Sequence, residues 1–289
     1  GMAKFTADLP LGFSYDVKEV QAPEGYLRNA DDVYTFTFSY TNDKEAKLTF
    51  KHTFKNERVT AKISLQKQDK ETKKAVPQGD ATLEKAVYGL YAREDIVHPD
   101  GATGVIYEAG EQVATLTTDK NGQASVDGLY LGNYYVKEIT PPTGYLADEE
   151  EHELVCNYEG DLVAEVKRDC LSLEQVMKQP FEIIKAANNG KTDADLLKGA
   201  GFTAYLVSSL TVKKDGSYDF DSAKPVVIGE NGATEIFTDE KGYARSIAIP
   251  YGTYIVRETT TPHNYTPVND FIVQITENHP TTPQVWRVL

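Results

Sequence analysis

LYLGNYYVKEITPPTGY, Leu129 to Tyr145, is the stretch on which the fold turns, because the chain carries it three times. LPLGFSYDVKEVQAPEGY, Leu9 to Tyr26, precedes it, and IPYGTYIVRETTTPHNY, Ile249 to Tyr265, follows it. In each copy a Gly opens a run of alternating residues, a basic residue is followed by Glu, and a Pro leads to a closing Tyr. The glutamates Glu19, Glu138 and Glu258 stand 119 and 120 residues apart. Self-similarity at a fixed period marks a repeat array, in which each copy is one structural unit.

Two further patterns keep the same step. TDKNGQA (Thr118 to Ala124) matches TDEKGYA (Thr238 to Ala244), each reading as a turn in which Gly122 or Gly242 takes a positive φ. AKISLQKQD (Ala61 to Asp69) precedes LEKAVYGLY, and PFEIIKA (Pro180 to Ala186) precedes LLKGAGFTAYL, placing Lys67 and Lys185 118 residues apart. The first copy lacks the turn before it, so the chain is expected to open inside a unit. The division this predicts is a partial unit over 1–57, a whole one over 58–175, and over 176–289 one lacking the end of its last strand.

The local pattern is that of strands. VYTFTFSY (Val33 to Tyr40) and KLTFKHTF (Lys47 to Phe54) alternate apolar and polar residues with period two. Turn signals fall at Asp100-Gly101, Asn121-Gly122, Asp215-Gly216 and Asn231-Gly232. One helix is predicted, Thr192 to Lys198, stopped by Gly199. Many short strands in units of this size predict an all-β fold of tandem Greek-key sandwiches rather than barrels. Arg93 to Gln112 and Val212 to Gly232 exceed what the repeat needs and read as insertions between strands.

Composition removes several functions. A net charge of −14 argues against nucleic acid or an anionic membrane as partner, since both need clustered Lys and Arg. No apolar run approaches the about 18 residues of a membrane span. Gly1 before Met2 reads as an added residue, and no signal peptide follows it. Cys156 and Cys170 are expected to be unpaired core thiols: a Tyr158–Leu162 turn would set Cys156 near Ala164, with Cys170 out of reach along the same hairpin. The five histidines, His52, His98, His152, His263 and His279, lack HxH or HExxH spacing, so neither a metal nor a cofactor is expected. DGSYDFD (Asp215 to Asp221) lacks the Gly and Glu of an EF-hand loop, and DEEEH (Asp148 to His152) reads as a solvated acidic loop. GxSxG and phosphate-cradling motifs are missing, and no enzyme acting on an outside substrate is predicted.

The repeated block resembles the E-box of Cna-B/SpaA modules, roughly Y-x-hydrophobic-x-E-x-x-x-P-x-G-Y. The segments resembling GAxFxLY and TDxxGxA stand in the expected order, so the resemblance covers essentially the whole chain. Lys85 departs from the favoured Gly, and Asn264 replaces the Gly of the third copy. The resemblance implies prealbumin-like (inverse immunoglobulin) sandwiches in the stalks and shafts of Gram-positive adhesins and pilins, on the bacterial surface and attached to the cell wall through regions outside this chain. The partners it implies are other modules of the same protein, with host matrix or glycan as the alternative through the insertions. It also implies an autocatalytic isopeptide bond, in which a first-strand lysine attacks a last-strand Asn or Asp with help from the E-box glutamate. Burial favours that chemistry by taking the charge off the lysine and keeping the glutamate protonated. Carried over, Glu19, Glu138 and Glu258 are the assisting acids, and Lys67 and Lys185 the nucleophiles. Asn56 is the acceptor of the first unit. In the second unit the offset of Asn56 lands on Glu174, Asp169 lies five residues earlier, and Asn157 falls one strand too soon. Asp169 is taken as the candidate, the alternative being that this unit has lost the bond.

Overall fold

The computed structural model describes residues 1–5, 8–40, 48–189 and 195–289. Its first segment holds β1 (Phe13–Lys18), β2 (Tyr26–Leu27), β3 (Val33–Phe38) and β4 (Glu57–Arg58). β1 runs antiparallel to β3, and β2 to β4. Of the strand predicted over Lys47 to Phe54, Lys47 lies outside the described residues and 48–54 form no assigned strand. The alternation still reports a shared face, since Phe50 stacks on Phe36 and His52 on Tyr34.

A complete sandwich follows. Its strands are β5 (Thr60–Asp69), β6 (Val87–Ala92), β7 (Ile96–Val97), β8 (Val105–Tyr107), β9 (Gln112–Thr117), β10 (Gln123–Leu129), β11 (Gly132–Thr140), β12 (Glu151–Cys156) and β13 (Glu165–Glu174). One sheet has the order β10-β5-β13 and the other β12-β11-β6-β9. β5 alternates strictly, with Ala61, Ile63, Leu65, Lys67 and Asp69 buried, because successive side chains leave a strand on opposite faces. Ile63, Leu65, Tyr88, Leu90, Tyr134, Val136 and Val166 build the core between the sheets.

The third segment repeats the plan. It adds β14 (Lys178–Gln179), β15 (Phe181–Lys185), β16 (Gly201–Leu206), β17 (Thr211–Val212), β18 (Tyr218–Asp219), β19 (Glu235–Phe237), β20 (Tyr243–Arg245), β21 (Ile249–Pro250), β22 (Gly252–Thr260), β23 (Phe271–Ile275) and β24 (Gln284–Val288). Its sheets, β20-β15-β24 and β19-β16-β22-β23, match those of the preceding sandwich strand for strand. In both, the first strand of the main sheets, β5 or β15, pairs in parallel with the last, β13 or β24. The two insertions form the β7–β8 and β17–β18 hairpins, apart from the main sheets.

Among the described residues no α-helix occurs, only short 3-10 turns. Residues 192–194 of the predicted Thr192–Lys198 helix lie outside the described residues. The rest is tied to a strand instead: the Ala187 N–H donates to Asp195 O and the Leu197 N–H to Lys185 O. Those bonds consume the backbone groups a helix would need. Cys156 and Cys170 are both free and buried, but they sit in facing sheets, on β12 and β13, rather than along one hairpin.

Candidate functional site

The end of β5 brings a lysine into the core. Lys67 continues the buried face of Ile63 and Leu65, and its side chain is fully shielded. β11 delivers Glu138 opposite it, on the face that also buries Tyr134 and Val136. Lys67 Nζ lies 3.5 Å from Glu138 Oε1. β13 delivers Glu174, whose Oε2 is in direct contact with Lys67 Nζ and whose side chain is also buried. The rings of Tyr145 and Tyr88 stand 5.5 and 5.9 Å from Nζ, closing the chamber.

The surroundings hold these groups in place. The Tyr88 hydroxyl donates to Glu174 Oε1 at 2.6 Å. The Asp148 N–H donates to Glu138 Oε2 at 2.7 Å. Asp148 Oδ2 in turn accepts from Ser172 Oγ at 3.0 Å and pairs with His152 Nε2 at 2.8 Å. Asp148 and His152 are therefore structural members of the chamber wall, and His152 already belongs to β12, so DEEEH is not simply a solvated loop. Burial weakens the hold of Lys67 on its proton, to a pKa of about 8, with Glu138 pulling the other way. Burial pushes the Glu138 carboxyl up, partly offset by the Asp148 N–H. Each shift moves its group toward the neutral form, the state needed for a nucleophilic amine and for a proton-donating acid.

Asp169 is not in this chamber. β13 buries Val166, Cys170, Ser172 and Glu174, whereas Asp169 is exposed, borders an open groove with Lys62 and Ser64, and pairs across from Ser64. A five-residue step along a strand reverses the face, so Asp169 and Glu174 cannot both point inward. Asn157 lies beyond the end of β12, in the other sheet from β13.

The other copies place the corresponding groups alike. Lys185, on the buried face of β15 with Phe181 and Ile183, lies 3.1 Å from Glu258 Oε2. That oxygen also accepts from the Val268 N–H at 2.8 Å, as Glu138 does from Asp148. Lys185 pairs across from Val288 as Lys67 does from Ser172, so the counterpart of Glu174 falls just past Leu289. In the first segment Asn56 Nδ2 donates to Glu19 Oε2 at 2.5 Å and to Leu27 O at 3.0 Å. Tyr26 pairs with Arg58 as Tyr145 does with Val176, and Asn56 and Glu174 each stand two residues before that pair. They occupy the same place. Sequence reading missed Tyr88, Ser172 and Asp148; nothing in their spacing singles them out, because they come from strands that only the fold joins.

The family model for the SpaA prealbumin-like fold domain matches residues 61–169 and again 180–287. Comparison with curated proteins gives no match. Among solved structures, the Bacillus anthracis TIE protein is 23% identical with a TM-score of 0.57, over 96% of this chain and 41% of that one. This chain thus spans less than half the length of that structure. A minor pilin of the Gram-positive pathogen Streptococcus agalactiae is 15% identical, with a TM-score of 0.32, over 79% of this chain and 94% of that one. The shaft pilin SpaA of Lactobacillus rhamnosus GG is 16% identical, with a TM-score of 0.29, over 79% of this chain and 96% of that one. With both sandwiches matched over nearly their whole length, the chain belongs to the family of SpaA prealbumin-like fold domains.

Proposed function

We propose that this chain is a load-bearing stalk segment of a Gram-positive cell-surface adhesin or pilin, divided into units at about residues 57 and 175. Internal lysine cross-links between first and last strands are part of this reading, and the chain is not an enzyme on an outside substrate. It works on the extracellular surface, beside other modules of its own protein. One observation carries the reading. In each sandwich the strand where the chain enters lies parallel to the strand where it leaves, ten residue pairs long in β5–β13. Tension applied along the chain pulls the N-terminal end of β5 against the C-terminal end of β13. Those ends lie at opposite ends of the pair, so the ladder is loaded in shear, and its bonds must fail together rather than in turn. Lysine and glutamate buried at the far end of that ladder are where a covalent tie would stop the two strands from sliding.

The test is deletion of residues 58–289 from the parent surface protein, with a tag placed distal to the segment. Export should persist while antibody access to the tag on intact cells falls. Unchanged access would overturn the stalk reading.

An adhesive reading has one observation in its favour. The β17–β18 hairpin and strands β22 and β23 enclose an open groove of about 620 Å3, lined by Tyr218, Phe220, Arg257 and Asp270, with Arg257 stacked on Phe220. Tyr107, by contrast, is packed against Tyr130. Binding to a panel of glycans and matrix proteins that disappears in Tyr218→Ala would establish this second role; no binding above background would remove it.

A further inference from the structure

We infer that Glu174, a glutamate, is the acceptor of an amide bond from Lys67 that closes the sandwich between β5 and β13. This rests on the cross-linked stalk reading and names the bond within it. Three independent observations meet on Glu174. It is the residue at the place of Asn56, two positions before the strand pair that closes each unit. It lies on the buried face of β13, where Asp169 does not. Its Oε2 is in contact with Lys67 Nζ and has no other hydrogen-bond partner among the described residues, while its Oε1 is held by Tyr88.

The two oxygens are therefore unlike, and the difference assigns the chemistry. Nζ attacks Cδ of Glu174, forming the C–N bond. Oε1, hydrogen-bonded by the Tyr88 hydroxyl, takes the developing negative charge and remains as the amide oxygen. Oε2 leaves as the C–O bond breaks. From the ammonium and carboxylate, two of the three Nζ protons depart with Oε2 as water and the third stays on the amide nitrogen. Glu138, beside Nζ, relays the protons and ends unchanged. No other reactant is required. The third unit differs at the same place: Phe202 stands where the second has Tyr88, so no hydroxyl is available there. The Tyr88 hydroxyl is thus a feature of the second unit and not of the shared plan.

The experiment is the intact mass of the denatured full chain, followed by tandem mass spectrometry of its peptides. The wild type should be lighter than its sequence by one water and should yield a branched peptide joining Lys67 to Glu174. Lys67→Ala and Glu174→Ala should have their full sequence mass. Glu174→Gln should lose one ammonia and give a product of the same mass as the wild-type cross-linked chain. Tyr88→Phe should slow or abolish the loss while leaving the circular dichroism of the fold intact. A wild-type chain of full mass, or a branch mapped to Asp169 or another residue, would overturn the assignment. The deletion result above does not depend on this bond, so failure of the one is distinguishable from failure of the other.

Discussion

Lys85 sits with φ of 67°, where its counterpart Gly199 has 83°. A side chain in left-handed geometry costs roughly 1 kcal/mol or more, because Cβ crowds the following carbonyl. Lys85→Gly is therefore expected to raise the melting temperature of its unit, by up to about 4 °C for about 1 kcal/mol, as read by scanning calorimetry; a fall would show that the lysine side chain contributes more than its backbone loses. The thiols give a second expectation. Burial raises Cys156 to about 11 and Cys170 to about 12, from an ordinary 9.0. Folded protein should resist iodoacetamide at pH 8, and unfolded protein should take two equivalents, whereas ready labelling of the folded chain would contradict the buried placement. The folded chain keeps both protons where the unfolded chain begins to lose them. This contribution to stability is thus intact below pH 9 and is lost as pH rises toward 11 to 12. Residue identities carried much of the site: Lys67, Lys185 and the three glutamates were legible because each recurs in one context. The repeat offset lands on Glu174, but residue type alone favours Asp169, and strand parity decides between them. Only the β5–β13 register shows which of the two faces the lysine.

At the scale of the element, β5 and β15 each have one inward face and one outward face, and the inward face carries the lysine near its end. Ile63→Ala, at a fully buried position of β5, should cost about 2–5 kcal/mol through lost burial and the cavity left behind. Val285→Ala, at an exposed position of β24, should cost less than about 0.5 kcal/mol. Urea denaturation checks both, and equal costs would mean that the faces are misassigned. Cross-linking Lys67 to Glu174 closes a loop of about 100 residues, worth on the order of 4–5 kcal/mol by the loop-entropy argument developed for disulfides. The alternation of AKISLQKQD made this strand readable from sequence. The Thr192–Lys198 stretch misled because its polar start and glycine stop are also the signs of a loop. Its described part spends its backbone bonds on Lys185 and Ala187, partners that no local pattern announces.

Across the whole molecule, the junctions are built from backbone as well as side chains. Between the two sandwiches, the Asp80 N–H donates to Tyr251 O, the Met177 N–H to Gly144 O, and the Thr253 N–H to Asp80 Oδ2. Tyr251 also covers a small cluster of Ala81, Leu83, Tyr145 and Val176. Gly79 has φ of 59° and lies against Tyr251 O, leaving no space for a Cβ. Gly79→Ala should therefore loosen this junction and separate the melting of the two units in calorimetry, with an unchanged profile showing that they never melted together. The repeat announced that there were units, but not what joins them, since Asp80 and Met177 fall outside the repeated blocks and Tyr251 stands where the other copies carry Leu11 and Leu131. The most direct test of the load-bearing claim is to stretch single molecules of the chain from its ends. The second unit, with β5 tied to β13, should release none of the length between Lys67 and Glu174, while Lys67→Ala should restore that release as a separate event. Wild-type molecules that release this length at the same low force as Lys67→Ala would contradict the account.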